Sequence, residues 1–289
     1  MDNQHKKLYR SHSRLWRENR FVYPVLSRRS KGVSLGVNLN PDKICNFDCI
    51  YCQVNRRSNS ETRFVEMKQL LEELHLLLGL VVDNELFQEA GFSNVPQNLQ
   101  RLNDIAFSGD GEPTTYKNFD EIIQQVADVK QKHSLNNVKM VLITNASMFH
   151  RPVVQRGLEL FDANNGEVWA KLDAGTEAYF KKIEQTTIPF SRILDNITAA
   201  AQVRPLVIQT LFMNVKNVPP SPNEIAAYCQ RLNDVIAAGG KIKLVQIYTV
   251  ARPPAQSNVT SLSNQEVDAI VSEVEKRCHL NVEAYYGQA

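Results

Sequence analysis

Three of the five cysteines lie close together in the sequence, at Cys45, Cys49 and Cys52. Their spacing, C-x3-C-x2-C, places three thiolates on one short loop, which is enough to hold three corners of an iron–sulfur cube. The fourth iron then has no protein ligand, and an open metal position is what a chelating small molecule requires. The cysteines therefore predict a catalytic cluster that binds a small molecule.

A structural zinc site is the alternative for the same cysteines. Zinc takes four tight ligands, and its usual sequence pattern joins C-x2-C to a second such pair. No second pair occurs here, and the nearest histidines, His12 and His75, are isolated. The other two cysteines, Cys229 and Cys278, stand alone and are predicted to be buried small hydrophobic residues.

Strands and helices must position this loop. Short apolar, β-branched segments predict strands over 33–39, 104–109, 139–145, 167–173, 206–213 and 243–250. Helical patterns occupy 67–81, 118–133, 193–203, 223–238 and 264–278. This alternation predicts an α/β fold with parallel strands, and six units are too few for an eight-fold barrel. We expect an open partial (β/α)6 TIM-like barrel, with its chemistry at the carboxyl ends of the strands.

The cysteine spacing, with Tyr51 before the last cysteine, resembles the signature of the radical S-adenosylmethionine (SAM) superfamily. The resemblance implies that Cys45, Cys49 and Cys52 bind a [4Fe–4S] cluster and that SAM chelates the fourth iron. It also implies that the Tyr51 region lies beside the adenine of SAM. One-electron reduction then cleaves SAM to methionine and a 5′-deoxyadenosyl radical, which abstracts hydrogen from a substrate. A flavodoxin or ferredoxin is the expected electron donor.

A second motif, FSGDGEPT, follows the second predicted strand. Gly109 and Gly111 allow tight turns and close approach of the backbone to a ligand. Glu112 can accept a hydrogen bond from an ammonium group, and Pro113 fixes the chain after it. The resemblance implies that this segment, with Asp110 as its variable residue, binds the amino group of SAM. An ordinary turn is the alternative.

Polar residues also end the third and fourth predicted strands. Thr144 and Asn145 are candidates to contact the SAM carboxylate or ribose, and an ordinary strand-end turn is the alternative. Lys171 and Asp173 alternate with apolar neighbours, so both should point to the same face. Asp173 is a candidate for the ribose hydroxyls, and Lys171 for the SAM carboxylate or a substrate anion. A salt bridge between these two residues is the alternative.

The composition is that of an ordinary globular protein, and no apolar run approaches the length of a membrane span. The N-terminus lacks the apolar core of a signal peptide, so a cytoplasmic location is expected. Residues 1–31 hold nine basic and two acidic residues, a net charge of +7. We treat them as a basic arm that precedes a domain over 32–289. The arm could contact RNA, or it could be a solvated terminal segment.

The predicted function is that of a radical SAM enzyme with one cluster and an unidentified substrate. The wider cysteine run resembles the branch that includes wyosine-base synthases, which modify tRNA. Those enzymes carry additional upstream cysteines for a second cluster, and no cysteine precedes Cys45 here. A small molecule or peptide is the other substrate considered. An alternative of another class is a non-enzymatic iron–sulfur or zinc protein that binds RNA.

Overall fold

A computed structural model describes residues 16–27, 29–56, 58, 60, 62–89, 91–254 and 256–287. These residues form two compact units. Unit one contains the described residues of 1–45, 56–143 and 152–167. Unit two contains those of 46–55, 144–151 and 168–289.

Unit one is built on parallel strands with one antiparallel edge strand. Its strands are β1 (Val22–Ser27), β2 (Gly32–Val37), β3 (Leu102–Phe107) and β4 (Lys139–Thr144), of which the last residue belongs to unit two. β1 runs antiparallel to β2, whereas β2, β3 and β4 pair in parallel. Every residue of β2 is buried, as expected for a parallel strand covered on both faces.

Three helices cover these strands. They are α1 (Met67–Val82), α2 (Phe119–Lys132) and α3 (Pro152–Ala163). Short 3-10 turns occupy Glu85–Gln88, Gln97–Leu99 and Pro113–Thr115. α1 buries leucines at helical spacing, including Leu70, Leu74 and Leu77, so one stripe of the helix faces the core.

Glu73 lies among these leucines and is itself buried. Its carboxylate accepts hydrogen bonds from the backbone N–H groups of Arg20, Phe21 and Val22, at 2.9, 2.8 and 2.9 Å. Buried backbone donors need partners, and Phe21 and Val22 are both buried at the point where β1 begins. The carboxylate therefore attaches the start of β1 to α1.

We expect Glu73→Ala to lower the free energy of unfolding by about 3 kcal/mol, because it leaves buried donors unsatisfied. Glu72→Ala is the matched control on the same helix, since Glu72 is exposed and lies 3.7 Å from Lys68. Loss of such a surface pair should cost less than about 0.5 kcal/mol. Urea unfolding of both variants measures the difference, and equal losses would contradict this role of Glu73.

Unit two continues the alternation of strands and helices. Its elements are β5 (Gly166–Lys171, of which the first two residues belong to unit one), α4 (Glu177–Glu184), α5 (Phe190–Val203), β6 (Leu206–Leu211), β7 (Asn214–Val215), α6 (Pro222–Ala237), β8 (Ile242–Tyr248), β9 (Val259–Thr260), α7 (Asn264–Cys278) and β10 (Val282–Tyr285). β5, β6, β8 and β10 pair in parallel in that order, and β7 pairs antiparallel with β9. Ser221 and Ser263 cap the first turns of α6 and α7.

The predicted α/β fold class of an open partial (β/α)6 barrel is confirmed, with each of the six predicted strands and five predicted helices present. Prediction missed four strands and two helices, namely β1, β7, β9, β10, α3 and α4. β1 lies within residues 1–31, the segment predicted to be a basic arm. Residues 1–15 and Arg28 of this arm lie outside the described residues. RNA binding by the basic arm therefore stays a prediction. In the described part of the chain, every helix is too short or too polar to cross a membrane.

Candidate functional site

The three cysteines of the motif are half-buried, and all five cysteines are free thiols. Cys45 belongs to unit one, whereas Cys49 and Cys52 belong to unit two. Among the described residues, no group of three or more His, Cys, Asp or Glu side chains is arranged to hold a single metal ion. An iron–sulfur cube needs a different arrangement from a single-ion site, because each of its thiolates binds a different iron. As a donor set, three soft thiolates fit an iron–sulfur cluster.

In unit one, the loops that follow β2 and β3 are joined by Asn38. Its side chain is buried; its Nδ2 donates to Asp110 Oδ2 at 2.7 Å, and its Oδ1 accepts from the Asp110 N–H at 3.1 Å. Arg56 adds to this junction by donating to the backbone carbonyls of Lys43 and Asp110. The Gly109–Pro113 segment is therefore fixed against the segment that leads to Cys45.

Both glycines of this segment are needed for close packing. A Cβ added to Gly109 would lie 2.2 Å from Asn38 Oδ1, and one added to Gly111 would lie 2.2 Å from the carbonyl oxygen of Ile44. The backbone at these glycines does have a close neighbour, as the sequence predicts. That neighbour is another segment of the same chain. Ile44 directly precedes Cys45, so Gly111 fixes the position of the backbone next to a cysteine of the motif.

We expect Gly111→Ala to reduce the iron and sulfide bound per chain after anaerobic reconstitution and to lower the free energy of unfolding by about 1–3 kcal/mol. The reason is overpacking: the new methyl group must displace the Ile44 carbonyl. Gly79→Ala is the matched control, because nothing lies within 4 Å of its added Cβ in helix α1. That control should be neutral or stabilising. Normal cluster content and stability in Gly111→Ala would contradict the expected clash.

Glu112 is buried, and its side chain stabilises the turn that follows it. Its Oε1 accepts hydrogen bonds from the Thr114 N–H at 3.1 Å and the Thr114 hydroxyl at 2.5 Å. Glu112 thereby caps the 3-10 turn in which Pro113 occupies the first position. These bonds match the alternative of an ordinary turn, and the role of Glu112 toward SAM stays a prediction.

In unit two, Tyr51, Asp173 and Glu184 form a buried hydrogen-bonded network next to Cys49. The Tyr51 hydroxyl lies 2.5 Å from Asp173 Oδ2 and 3.2 Å from Glu184 Oε1. The Cys49 thiol donates to Glu184 Oε2 at 2.7 Å. Tyr51 and Asp173 were predicted from the sequence to be site residues, and the structure brings them together. Glu184 was missed.

The protonation states of Glu184, Cys49 and Tyr51 explain which group donates in each hydrogen bond of this network. Burial, followed by the nearby Asp173, raises the pKa of Glu184 to about 8, so this carboxyl group is mostly protonated at neutral pH. Burial, followed by Glu184, raises the pKa of the Cys49 thiol well above its usual value. The Tyr51 hydroxyl has a single proton, and its short contact assigns that proton to Asp173. Protonated Glu184 can then donate to the Tyr51 oxygen.

Lys171 supplies the positive charge of the network. Its Nζ lies 3.0 Å from Asp173 Oδ2 and 3.1 Å from the Tyr248 hydroxyl, and 4.8 Å from the centre of the Tyr51 ring. Burial alone lowers the pKa of Lys171, but Asp173, Tyr248 and Glu184 outweigh it, so the pKa is well above its usual value. The salt bridge given as the alternative for Lys171 and Asp173 is therefore present, and Tyr248 is a partner that sequence reasoning missed.

Asn145 and Thr144 form the turn that follows β4. Asn145 Oδ1 accepts from the Ser147 N–H at 3.1 Å, and Thr144 Oγ1 accepts from the Ala146 N–H at 3.0 Å. Asn145 Nδ2 also donates to Asn46 Oδ1 at 2.9 Å. These bonds match the alternative of a strand-end turn, and they connect that turn to the residue after Cys45. Contact with SAM stays a prediction for Asn145.

The Radical SAM superfamily model matches residues 39–218, which is more than half of the chain. The chain belongs to the radical SAM superfamily. The resemblance to this superfamily is confirmed, and with it the class of enzyme, because members of this superfamily are enzymes that use a [4Fe–4S] cluster and SAM. The alternative of a non-enzymatic RNA-binding protein has no support from this match.

Several proteins resemble the chain over most of its length. It is 30% identical over 239 residues to a UPF0026 protein of Helicobacter pylori, covering 80% of this chain and 66% of that protein. It is 25% identical over 264 residues to a protein of Brachyspira hyodysenteriae named GTPase Obg, covering 90% of this chain and 34% of that protein. The chain thus spans about a third to two thirds of the length of these relatives.

A solved structure supports the fold. The structure of TYW1 with a lysine-pyruvate adduct bound aligns with a TM-score of 0.52 at 13% identity, covering 86% of this chain and 74% of that one. At this identity the likeness concerns the fold alone. It agrees with the α/β class predicted from the alternation of strands and helices.

Proposed function

We propose that the protein binds one [4Fe–4S] cluster through Cys45, Cys49 and Cys52 and uses it to cleave SAM reductively. The observation that carries the proposal is the C-x3-C-x2-C motif inside the matched superfamily region. When bound, the cluster supplies the electron that splits SAM into methionine and a 5′-deoxyadenosyl radical, which abstracts hydrogen from a substrate. The protein's part is to bind, orient and shield the reactants.

The chain's own residues have distinct parts in this proposal. Gly109–Pro113 presents to the amino group of SAM a turn that the two hydrogen bonds between Asn38 and Asp110 hold in place. Asn145 lies on a second fixed turn, at the end of β4. Lys171 and Asp173 provide buried charges for the carboxylate and ribose of SAM. Tyr51 keeps these charges in place beside Cys49.

Anaerobic reconstitution tests the proposal. The chain, incubated with iron and sulfide, should show the absorption and EPR signals of a [4Fe–4S] cluster, and with SAM and dithionite it should release 5′-deoxyadenosine. A zinc-loaded chain that leaves SAM intact would overturn the proposal. A preparation with the cluster but without SAM cleavage would overturn the catalytic part alone.

A tRNA-modifying enzyme is the second candidate function. It is favoured by the TYW1-like fold and by the net charge of +7 in residues 1–31, since basic segments attract RNA phosphates. The same assay, run with and without cellular RNA, separates the candidates: stimulation by RNA favours this one, and no effect favours a small substrate. Flavodoxin or ferredoxin is the proposed physiological electron donor, and a cytoplasmic location belongs to the same proposal.

A further inference from the structure

Cys229 and Cys278 are neighbours in space although 49 residues separate them in sequence. Cys229 lies on α6, and Cys278 is the last residue of α7. The Cys278 sulfur is 3.5 Å from the Cys229 carbonyl oxygen on α6, and the Cys229 sulfur is 4.0 Å from the Glu273 carbonyl oxygen on α7. Both side chains are buried, at 1% and 6% exposure. They are buried, as the sequence predicts, but they form a facing pair and do not stand alone.

A second contact between α6 and α7 lies close to the cysteine pair. Asn233 lies one helical turn after Cys229, and its Nδ2 donates to the Arg277 carbonyl at 3.2 Å. The end of α7 is thus held against one stripe of α6 next to the cysteine pair. The two cysteines thus face each other from neighbouring helices, which is the arrangement that an intramolecular disulfide requires.

We propose that Cys229 and Cys278 are an oxidation site that forms an intramolecular disulfide between α6 and α7 when the protein meets peroxide. One thiolate attacks hydrogen peroxide, which gives a sulfenic acid and water; the second thiol then displaces water and forms the disulfide. In sum, two thiols lose two hydrogen atoms and one peroxide is reduced to two waters. The site is independent of the three motif cysteines and of the proposed function.

The two thiols have different tasks in this reaction. The adjacent Cys278 thiol lowers the pKa of Cys229, burial opposes this shift, and the nearby Arg277 adds to it, so Cys229 is the thiol that ionises and attacks peroxide. The adjacent Cys229, followed by burial, raises the pKa of Cys278, which stays a thiol until it meets the sulfenic acid. Cys278 therefore acts as the resolving cysteine.

The experiment uses the full chain with Cys45→Ala, Cys49→Ala and Cys52→Ala, so that Cys229 and Cys278 are the only thiols. After hydrogen peroxide treatment, denaturation and iodoacetamide, we expect a monomer that lacks two hydrogen atoms and carries no label. We also expect Tm to rise by several degrees and to fall back with dithiothreitol, because a disulfide restricts the unfolded chain. Adding Cys278→Ser is the control, and it should abolish both changes.

Labelling of both thiols after peroxide would overturn the proposal, as would conversion to sulfinic acid or a disulfide-linked dimer. If the triple variant does not fold, peptide mapping of peroxide-treated wild-type holoprotein gives the same test. The peptides that contain Cys229 and Cys278 must then appear joined under non-reducing conditions. Finding them separate, each with a free or over-oxidised cysteine, would contradict the pair.

Discussion

Cys49→Ala should remove the cluster and reduce the yield of 5′-deoxyadenosine by at least about 100-fold. Loss of an outer partner of a metal ligand commonly costs 10–100-fold, and loss of a ligand itself should cost more. The side chain of Cys49 is also held in position, because its thiol donates a hydrogen bond to Glu184 in the network that contains Tyr51 and Asp173. The measurements are iron and sulfide per chain, the EPR signal, and 5′-deoxyadenosine released with SAM and dithionite.

Cys229→Ala is the matched control for this experiment. It removes a buried cysteine that takes no part in the proposed site, so the cluster content and SAM cleavage should stay at the wild-type level. The proposed cluster site would be wrong if Cys49→Ala kept a full cluster and normal cleavage. Equal losses in both variants would mean that general instability, and not loss of a ligand, explains the result.

Most of the fold could be predicted because the parallel strands are buried on both faces. β2 and β6 are buried at every residue, so their sequences are near-continuous apolar runs. β1 escaped prediction because it is an edge strand that contains Pro24 and follows a basic segment. β10 has only four residues, all half-buried, and α4 only eight residues, so neither gives a strong periodic signal.

The site residues could be predicted from motifs, but their partners could not. Lys171 and Asp173 are visible as charges at the end of a buried strand, where they must be paired or used. Nothing in the sequence shows that Glu184 meets Cys49, because the two are 135 residues apart and Glu184 reads as an ordinary charged residue at a helix end. Asn38 was missed for the same reason: its role depends on Asp110, a residue 72 positions away.

Asp173→Ala should lower the free energy of unfolding by about 3 kcal/mol and reduce SAM cleavage by about 100-fold. The Asp173 side chain is fully buried and paired with Lys171, and it accepts from the Leu211 N–H at 2.6 Å. Its removal leaves a mostly buried ammonium group without its main counter-charge, which typically costs 3–5 kcal/mol. The activity loss is expected because displacement of a positioning group by about 1 Å can cost about 100-fold.

The double variant Lys171→Met/Asp173→Leu separates stability from function. It removes both charges, so it should recover much of the stability lost in Asp173→Ala. SAM cleavage should stay low in the double variant if Lys171 and Asp173 contact SAM, and it should recover with stability if they only form a salt bridge. Glu177→Ala is the surface control, because Glu177 and Lys181 are exposed and their pair should contribute less than about 1 kcal/mol. Urea unfolding and the 5′-deoxyadenosine assay, applied to all three variants, decide between a site role and a purely structural one for the buried pair.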